Sequence, residues 1–77
     1  MDNVPIIDIK ATGDHIYHLM TINDLSVKSL QEMLGLSTRQ SIYKWLWGKC
    51  LPTLDNLVIL AHIFDCKIDD IIVLEEK

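Results

Sequence analysis

The chain has 77 residues, of which 49% are hydrophobic, so it is long enough for one small domain with a single core. We therefore expect no separate catalytic or ligand-sensing domain, and the apolar runs are too short for a membrane span or a secretory signal. The net charge of −4 speaks against a nucleic-acid partner, because DNA-binding domains are usually basic.

The N-terminal residues predict an extended arm followed by one helix. Residues 7–10 alternate apolar and charged side chains, which is typical of a short strand, so we assign residues 1–10 to an arm that packs on the body. Thr12 is expected to cap the first helix. The apolar face of that helix is formed by Ile16, Leu19 and Met20.

Two short helical patterns meet at Gly35. Ser26 is an N-cap signal for the first pattern, whose apolar positions follow at helical spacing: Leu30, Met33 and Leu34. Gly35 stands where the end of a helix favours a residue that tolerates positive φ.

The second pattern begins at Thr38 and ends at Gly48. Its inward positions are apolar, namely Ile42, Trp45 and Leu46. Its outward positions are polar or cationic, namely Arg39, Gln40, Ser41, Tyr43 and Lys44. Helix, glycine-bearing turn and helix form the helix-turn-helix layout, in which the second helix can lie in the major groove of DNA.

The C-terminal third predicts two more helices. Thr53 is expected to cap helix 4. The inner face of helix 4 is Leu54, Leu57, Leu60, Ala61 and Phe64. Residues 68–73 are predicted to form a fifth short helix, and residues 74–77 a tail. The sequence thus predicts an all-α, compact five-helix bundle.

The charges are distributed unevenly along the chain. Residues 33–54 carry three basic side chains and no acidic one, whereas the net charge is −3 over residues 1–32 and −4 over residues 55–77. A locally basic face on an acidic body can bind DNA, although only weakly at high salt. This distribution of charge therefore weakens the argument against DNA binding that the net charge provides.

An ordered set of short motifs runs from Leu25 to Ile71. It consists of Leu25-Ser26, Leu30, Leu34-Gly35-Leu36-Ser37, Ile42-Tyr43-Lys44-Trp45, Gly48-Lys49, Leu51-Pro52, Leu57, Leu60-Ala61 and Ile68-Asp69-Asp70-Ile71. This set resembles the Cro and phage-repressor-like, or XRE-type, helix-turn-helix family, and within it a compact bacterial subgroup with AIYKW in helix 3 and LPxxDNL after it. The resemblance implies a lambda-repressor-like DNA-binding domain over residues 11–73.

The resemblance implies that base-reading side chains lie on helix 3. They are Arg39, Gln40, Tyr43 and Lys44. Arginine can contact guanine O6 and N7, and glutamine adenine N6 and N7, each in bidentate geometry. Contacts to DNA phosphates are expected from Ser26, Lys28, Thr38, Ser41, Trp47 and Lys49.

Several of these side chains also have a plain structural interpretation. Alternatively, Arg39 and Gln40 are ordinary solvated side chains at the start of a helix, and Tyr43 is half-buried. Lys28 is alternatively an ordinary surface lysine. Trp47 either presses on the sugar-phosphate backbone or packs against a partner or the arm.

The chain departs from the family pattern in both the turn and the helices. One extra residue lies between Gly35 and helix 3, and Val27 stands where the family often has a phosphate-holding glutamine. The family's Arg–Glu ion pair between helices 1 and 3 is replaced by Met20 and Leu46. Since hydrophobic residues can replace a buried ion pair without loss of stability, we predict that Met20 and Leu46 are buried and in contact.

We expect no catalytic, metal or cofactor site. His15 and His18 lie one turn apart and His62 lies elsewhere, whereas a metal site of this kind needs three or four convergent ligands. Cys50 and Cys66 are expected to be free thiols, with Cys66 as a small core residue. The sequence therefore does not predict an enzyme.

These patterns together predict a repressor-like transcription regulator that binds double-stranded DNA in the bacterial cytoplasm. We expect a homodimer, with the contact made by the apolar arm at Ile6, Ile7 and Ile9 or by the chain end at Ile72 and Leu74. The alternative is a protein-interaction module on a helix-turn-helix scaffold that does not bind DNA, favoured by the acidic composition and by Trp47.

Overall fold

The computed structural model describes residues 4–76, and its helices follow the predicted order. They are α1 (Ile9–Ile22), α2 (Val27–Leu34), α3 (Gln40–Leu46), α4 (Leu54–Phe64) and a 3-10 helix (Ile68–Asp70). The all-α class is confirmed, but the prediction of a fifth α-helix over residues 68–73 is wrong. Only one 3-10 turn forms there, because the backbone then leaves the helical path to pair with the arm.

The first helix begins earlier than the sequence predicts. Asp8 is its N-cap and its carboxylate accepts a hydrogen bond from the backbone N–H of Ala11 at 2.9 Å, so the prediction of Thr12 as the cap is wrong. Thr12 is fully buried inside α1. Its hydroxyl accepts from the backbone N–H of Val73 at 3.0 Å and donates to the carbonyl of Val73 at 3.3 Å, which fastens the C-terminal segment to α1.

The arm and the tail meet in a short antiparallel contact. Ile7 and Leu74 form an isolated β-bridge, flanked by hydrogen bonds from Asp8 N–H to the Val73 carbonyl (2.8 Å) and from Glu75 N–H to the Ile6 carbonyl (2.7 Å). We call residues 4–8 and 73–76 the terminal ribbon. Residues 1–3 of the predicted arm and Lys77 of the predicted tail lie outside the described residues.

Local signals set the starts of α2 and α4 and the end of α2 as predicted, whereas α3 begins two residues after the predicted Thr38, with Arg39 at its N-cap position. Ser26 caps α2 and Thr53 caps α4, each by accepting a hydrogen bond from a backbone N–H three residues on. Gly35 ends α2 with φ of +69°, and Gly48 follows α3 with φ of +73°. Both glycines therefore occupy the left-handed region that the turn requires.

One core forms between the helices. Its buried apolar members are Ile16, Met20, Leu30, Leu34, Ile42, Trp45, Leu57, Leu60, Ala61, Phe64 and Ile71. Two predicted core positions are wrong: Leu54 is 69% exposed because it begins α4 at the surface, and Met33 is 52% exposed because the buried face of α2 is formed by Leu30 and Leu34.

The α1–α3 contact is close enough to exclude a side chain at Gly13. A Cβ atom added there would lie 2.1 Å from the backbone oxygen of Trp45.

Met20 is buried, as predicted, and Leu46 is half-buried against the same core. The direct contact between Met20 and Leu46 stays a prediction. Within residues 4–76, no helix is long and apolar enough to cross a membrane.

Candidate DNA-binding surface

The inner and outer faces of α3 differ sharply. Ile42 and Trp45 are buried, and the close approach of Gly13 to the Trp45 carbonyl fixes α3 against α1. The side chains predicted to contact DNA on or beside α3 are all exposed, namely Thr38, Arg39, Gln40, Ser41, Tyr43, Lys44, Trp47 and Lys49. The fold therefore presents α3 with its polar and cationic face outward.

Arg39 lies immediately before α3 and its side chain is held by α2. Its Nε–H donates to Oε1 of Gln31 at 3.0 Å, and the Gln31 amide nitrogen donates to the Leu36 carbonyl at 3.2 Å. Sequence reasoning missed Gln31, because an eight-residue separation across a turn leaves no periodic signal. Arg39 is also the N-cap position of α3, although its side chain does not cap the helix.

An aromatic pair follows on the same helix. The rings of Tyr43 and Trp47 stack with centroids 5.6 Å apart and an interplanar angle of 21°. Trp47 is 61% exposed and Tyr43 is 37% exposed, so the alternative of a half-buried Tyr43 comes close to what is seen. The pair lines a shallow groove of about 540 Å³, whose other walls are Asp14, Tyr17, Val27 and Leu46.

The predicted phosphate-contacting residues on α2 have different surroundings. The Ser26 hydroxyl already accepts from the Ser29 N–H at 3.0 Å and shares a hydrogen bond with the Ser29 hydroxyl, so its first role is that of a helix cap. Lys28 is exposed. Within residues 4–76, no carboxylate forms an ion pair with Arg39, Lys44 or Lys49, so their charge is available to a ligand.

The family can now be stated from sequence and structure together. A family model of the Cro/C1-type HTH DNA-binding domain matches residues 15–77. The chain belongs to this family. The fold is also similar to the crystal structure of the restriction-modification controller protein C.AhdI from Aeromonas hydrophila, with a TM-score of 0.73 and 25% sequence identity, over 83% of this chain and 96% of that chain. No curated protein matches the sequence.

These comparisons confirm the predicted resemblance and the predicted general function. This Cro/C1-type chain is a DNA-binding transcriptional regulator. The helix-turn-helix of the family corresponds to α2, the turn and α3, and it contains two of the three basic residues of the acid-free part of the sequence, Arg39 and Lys44, whereas Lys49 lies just beyond α3.

His15, His18 and Cys66 of this Cro/C1-type domain take part in contacts within the fold, whereas Cys50 and His62 are exposed. His15 donates from Nε2 to the Asp70 carbonyl at 2.8 Å, and its ring stacks on that of His18 with centroids 5.9 Å apart. Both cysteines are free thiols, as predicted. Cys66 packs against the core, and this burial, with smaller contributions from Asp70 and Asp65, raises the pKa of its thiol. Among residues 4–76, no three potential ligands converge to hold a metal ion.

Proposed function

We propose that the protein binds double-stranded DNA as a homodimer and reads base edges in the major groove with α3 of each subunit. One observation carries this proposal: the buried face of α3 is locked to α1, while its opposite face exposes every side chain predicted to read bases. A recognition helix must be rigid on its inner side and polar on its outer side, because base readout depends on side chains held in a fixed orientation.

The chemistry of the exposed face suggests a role for each side chain. Arg39 suits guanine and Gln40 suits adenine, since each can form two parallel hydrogen bonds to one base. Tyr43 and Lys44 lie one turn further along α3 and reach a thymine methyl group, a base edge or a phosphate. The remaining contacts go to phosphates, from Ser26, Lys28, Thr38, Ser41, Trp47 and Lys49.

Dimerisation follows from the small size of the binding surface. A single recognition helix buries little surface, so such domains bind two half-sites about 34 Å apart. The terminal ribbon offers an apolar contact for a second copy, because Ile6, Ile7 and Leu74 are all exposed. We place the dimer contact there, with Ile9 and Ile72 at its edges.

The similarity to C.AhdI, a restriction-modification controller protein, supports a role in regulating transcription through DNA binding. We propose that the protein acts in the bacterial cytoplasm, where its DNA target is.

A second candidate function is supported by the aromatic groove. Tyr17 and Trp47 are each 61% exposed beside the stacked Tyr43, and the body carries a net negative charge. A protein-interaction module would use such a surface to bind a protein instead of DNA, because exposed aromatic side chains are typical anchors of protein interfaces.

Selection of bound sequences from random DNA separates the two functions. The DNA-binding function predicts enrichment of a palindrome with half-sites one helical turn apart. Sedimentation of the free protein and of the complex on the enriched site then gives the subunit number. A monomer in both states would contradict the dimer, and a failure to enrich any sequence would favour the protein-interaction module.

A further inference from the structure

The amide of Gln31 joins three segments of the helix-turn-helix. It extends from α2, donates from Nε2 to the Leu36 carbonyl in the turn, and accepts from Arg39 Nε–H at the start of α3. A carbonyl can only accept and an arginine Nε can only donate. Both bonds are therefore satisfied in just one orientation of the amide, which holds Arg39 in a defined position.

The bond to Gln31 determines which edge of the guanidinium remains available. An arginine has five N–H donors, and here the one on Nε is already used. Within residues 4–76, the four N–H groups of the two terminal nitrogens have no hydrogen-bond partner. They form a planar fork whose spacing matches two acceptors on one base, and guanine alone presents O6 and N7 together in the major groove.

The partner of Arg39 is neutral, and this affects DNA binding. A carboxylate in the same place would compensate the positive charge of Arg39 and weaken its attraction to the phosphates. The amide supplies an acceptor oxygen without a charge, so Arg39 is positioned and keeps its full positive charge.

We infer that Gln31 is a positioning residue for base readout, which holds Arg39 so that its two terminal nitrogens, and not Nε, contact a single guanine in each half-site. The inference rests on the proposed function, in which Arg39 reads a base. Without Gln31 the arginine must be ordered when DNA binds, and immobilising one long side chain lowers affinity about two- to tenfold.

The test compares the parent protein with Gln31→Met, which keeps the side-chain length and removes both hydrogen bonds. Binding is measured on the selected duplex, on duplexes with each other base at the Arg39 position, and on one with 7-deazaguanine there, which lacks N7. We expect the preference for guanine to fall about two- to tenfold in Gln31→Met, and the 7-deazaguanine penalty to shrink with it.

Two further variants distinguish positioning from a general structural role. In an Arg39→Ala background, Gln31→Met should have no further effect on base preference, since Gln31 acts through Arg39. Gln31→Glu keeps the acceptor but adds a charge, so it should retain the guanine preference, weaken binding to all duplexes and reduce the salt slope by about one unit.

The outcomes separate this inference from the proposed function. Unchanged guanine preference in a folded Gln31→Met protein overturns the inference and leaves the proposed function intact. The same conclusion follows if Gln31→Met still changes base preference in the Arg39→Ala background. If Gln31→Met unfolds, Gln31→Ala replaces it as the test, because alanine also removes both hydrogen bonds and leaves Arg39 in place, and retained guanine preference then overturns the inference. A parent protein that enriches no sequence overturns the proposed function itself.

Discussion

The helix-turn-helix and the terminal ribbon are held in place by different forces. The two helices of the first bury Leu30, Leu34, Ile42 and Trp45 in the core, and a backbone approach at Gly13 leaves no room between α1 and α3. The terminal ribbon has one β-bridge and a few hydrogen bonds. Tight packing makes the first region rigid, whereas the second depends on individual polar contacts.

The two regions also differ in what they expose. The outer face of α3 shows polar and cationic side chains, while the terminal ribbon shows isoleucine and leucine. We therefore expect changes in the ribbon to affect stability and self-association, and changes on the outer face of α3 to affect DNA binding alone. Single substitutions in the core, on the outer face of α3 and in the ribbon should therefore have separable effects, of which the largest is expected in the core.

Gly13→Ala should destabilise the fold most. The added Cβ would lie 2.1 Å from a backbone oxygen that cannot rotate away, so α3 must move. Overpacking of this kind costs about 1–3 kcal/mol or more, and the better helix propensity of alanine offsets about 1 kcal/mol. We expect a net loss of about 2 kcal/mol in the free energy of unfolding, measured by urea denaturation, and a Tm lower by roughly 8–16 °C.

Gly35→Ala is the matched control for Gly13→Ala. Gly35 has φ of +69° but nothing within 4 Å of an added Cβ, so alanine there introduces backbone strain without a clash. We expect a loss of only about 1 kcal/mol. If Gly13→Ala proved as stable as Gly35→Ala, the tight α1–α3 contact would not be what fixes α3.

Arg39→Ala should weaken binding to the selected DNA by about 1–3 kcal/mol and relax the preference at one base position. Its stability should not change, because Arg39 is exposed outside the core. Titration of selected and scrambled duplexes at two salt concentrations measures both effects, with Arg39→Ala, Gln40→Ala as the stronger double variant. An unchanged preference in the folded double variant would support the protein-interaction function.

Thr12→Val should loosen the terminal ribbon. Valine has the shape of threonine but neither donates nor accepts, so it removes both hydrogen bonds to Val73 and leaves that backbone N–H unpaired. We expect a loss of about 1–2 kcal/mol in the free energy of unfolding, with DNA base preference unchanged. Thr21→Val is the control, because its exposed hydroxyl bonds only within α1, to the Tyr17 carbonyl. Equal losses in the two variants would contradict the role of Thr12.

The sequence predicted the helix-turn-helix far better than the terminal ribbon. Ser26, Gly35 and Gly48 act through neighbours a few residues away, so their roles are visible in a short stretch of sequence. Thr12 and Val73 are 61 residues apart, and the threonine that resembled a helix cap is a buried link to the tail. The Asp8 cap was missed because residues 7–10 alternate like a strand.

In the candidate site, too, features that depend on nearby residues were predictable from the sequence, whereas contacts between different helices were not. The exposed face of α3 followed from helical periodicity, since the buried positions recur every three or four residues. The Gln31–Arg39 bond did not, because it depends on how the turn orients two helices. Gly13 was missed for a similar reason: its closeness to the Trp45 carbonyl is a property of helix packing, which periodicity does not report.

Lys49→Ala should produce the smallest effect and test the division between base reading and phosphate contact. Lys49 is exposed and lies beyond Gly48, past the end of α3, so it is placed to reach the backbone of DNA rather than a base. Its loss should weaken all duplexes alike and reduce the salt slope by about one unit. Lys67→Ala makes the same charge change at an exposed site between α4 and the 3-10 helix and should leave the slope unchanged. A Lys49 variant that altered base preference, or a Lys67 variant that lowered the slope equally, would show that the cationic side chains act through net charge and not through their places on the helix-turn-helix.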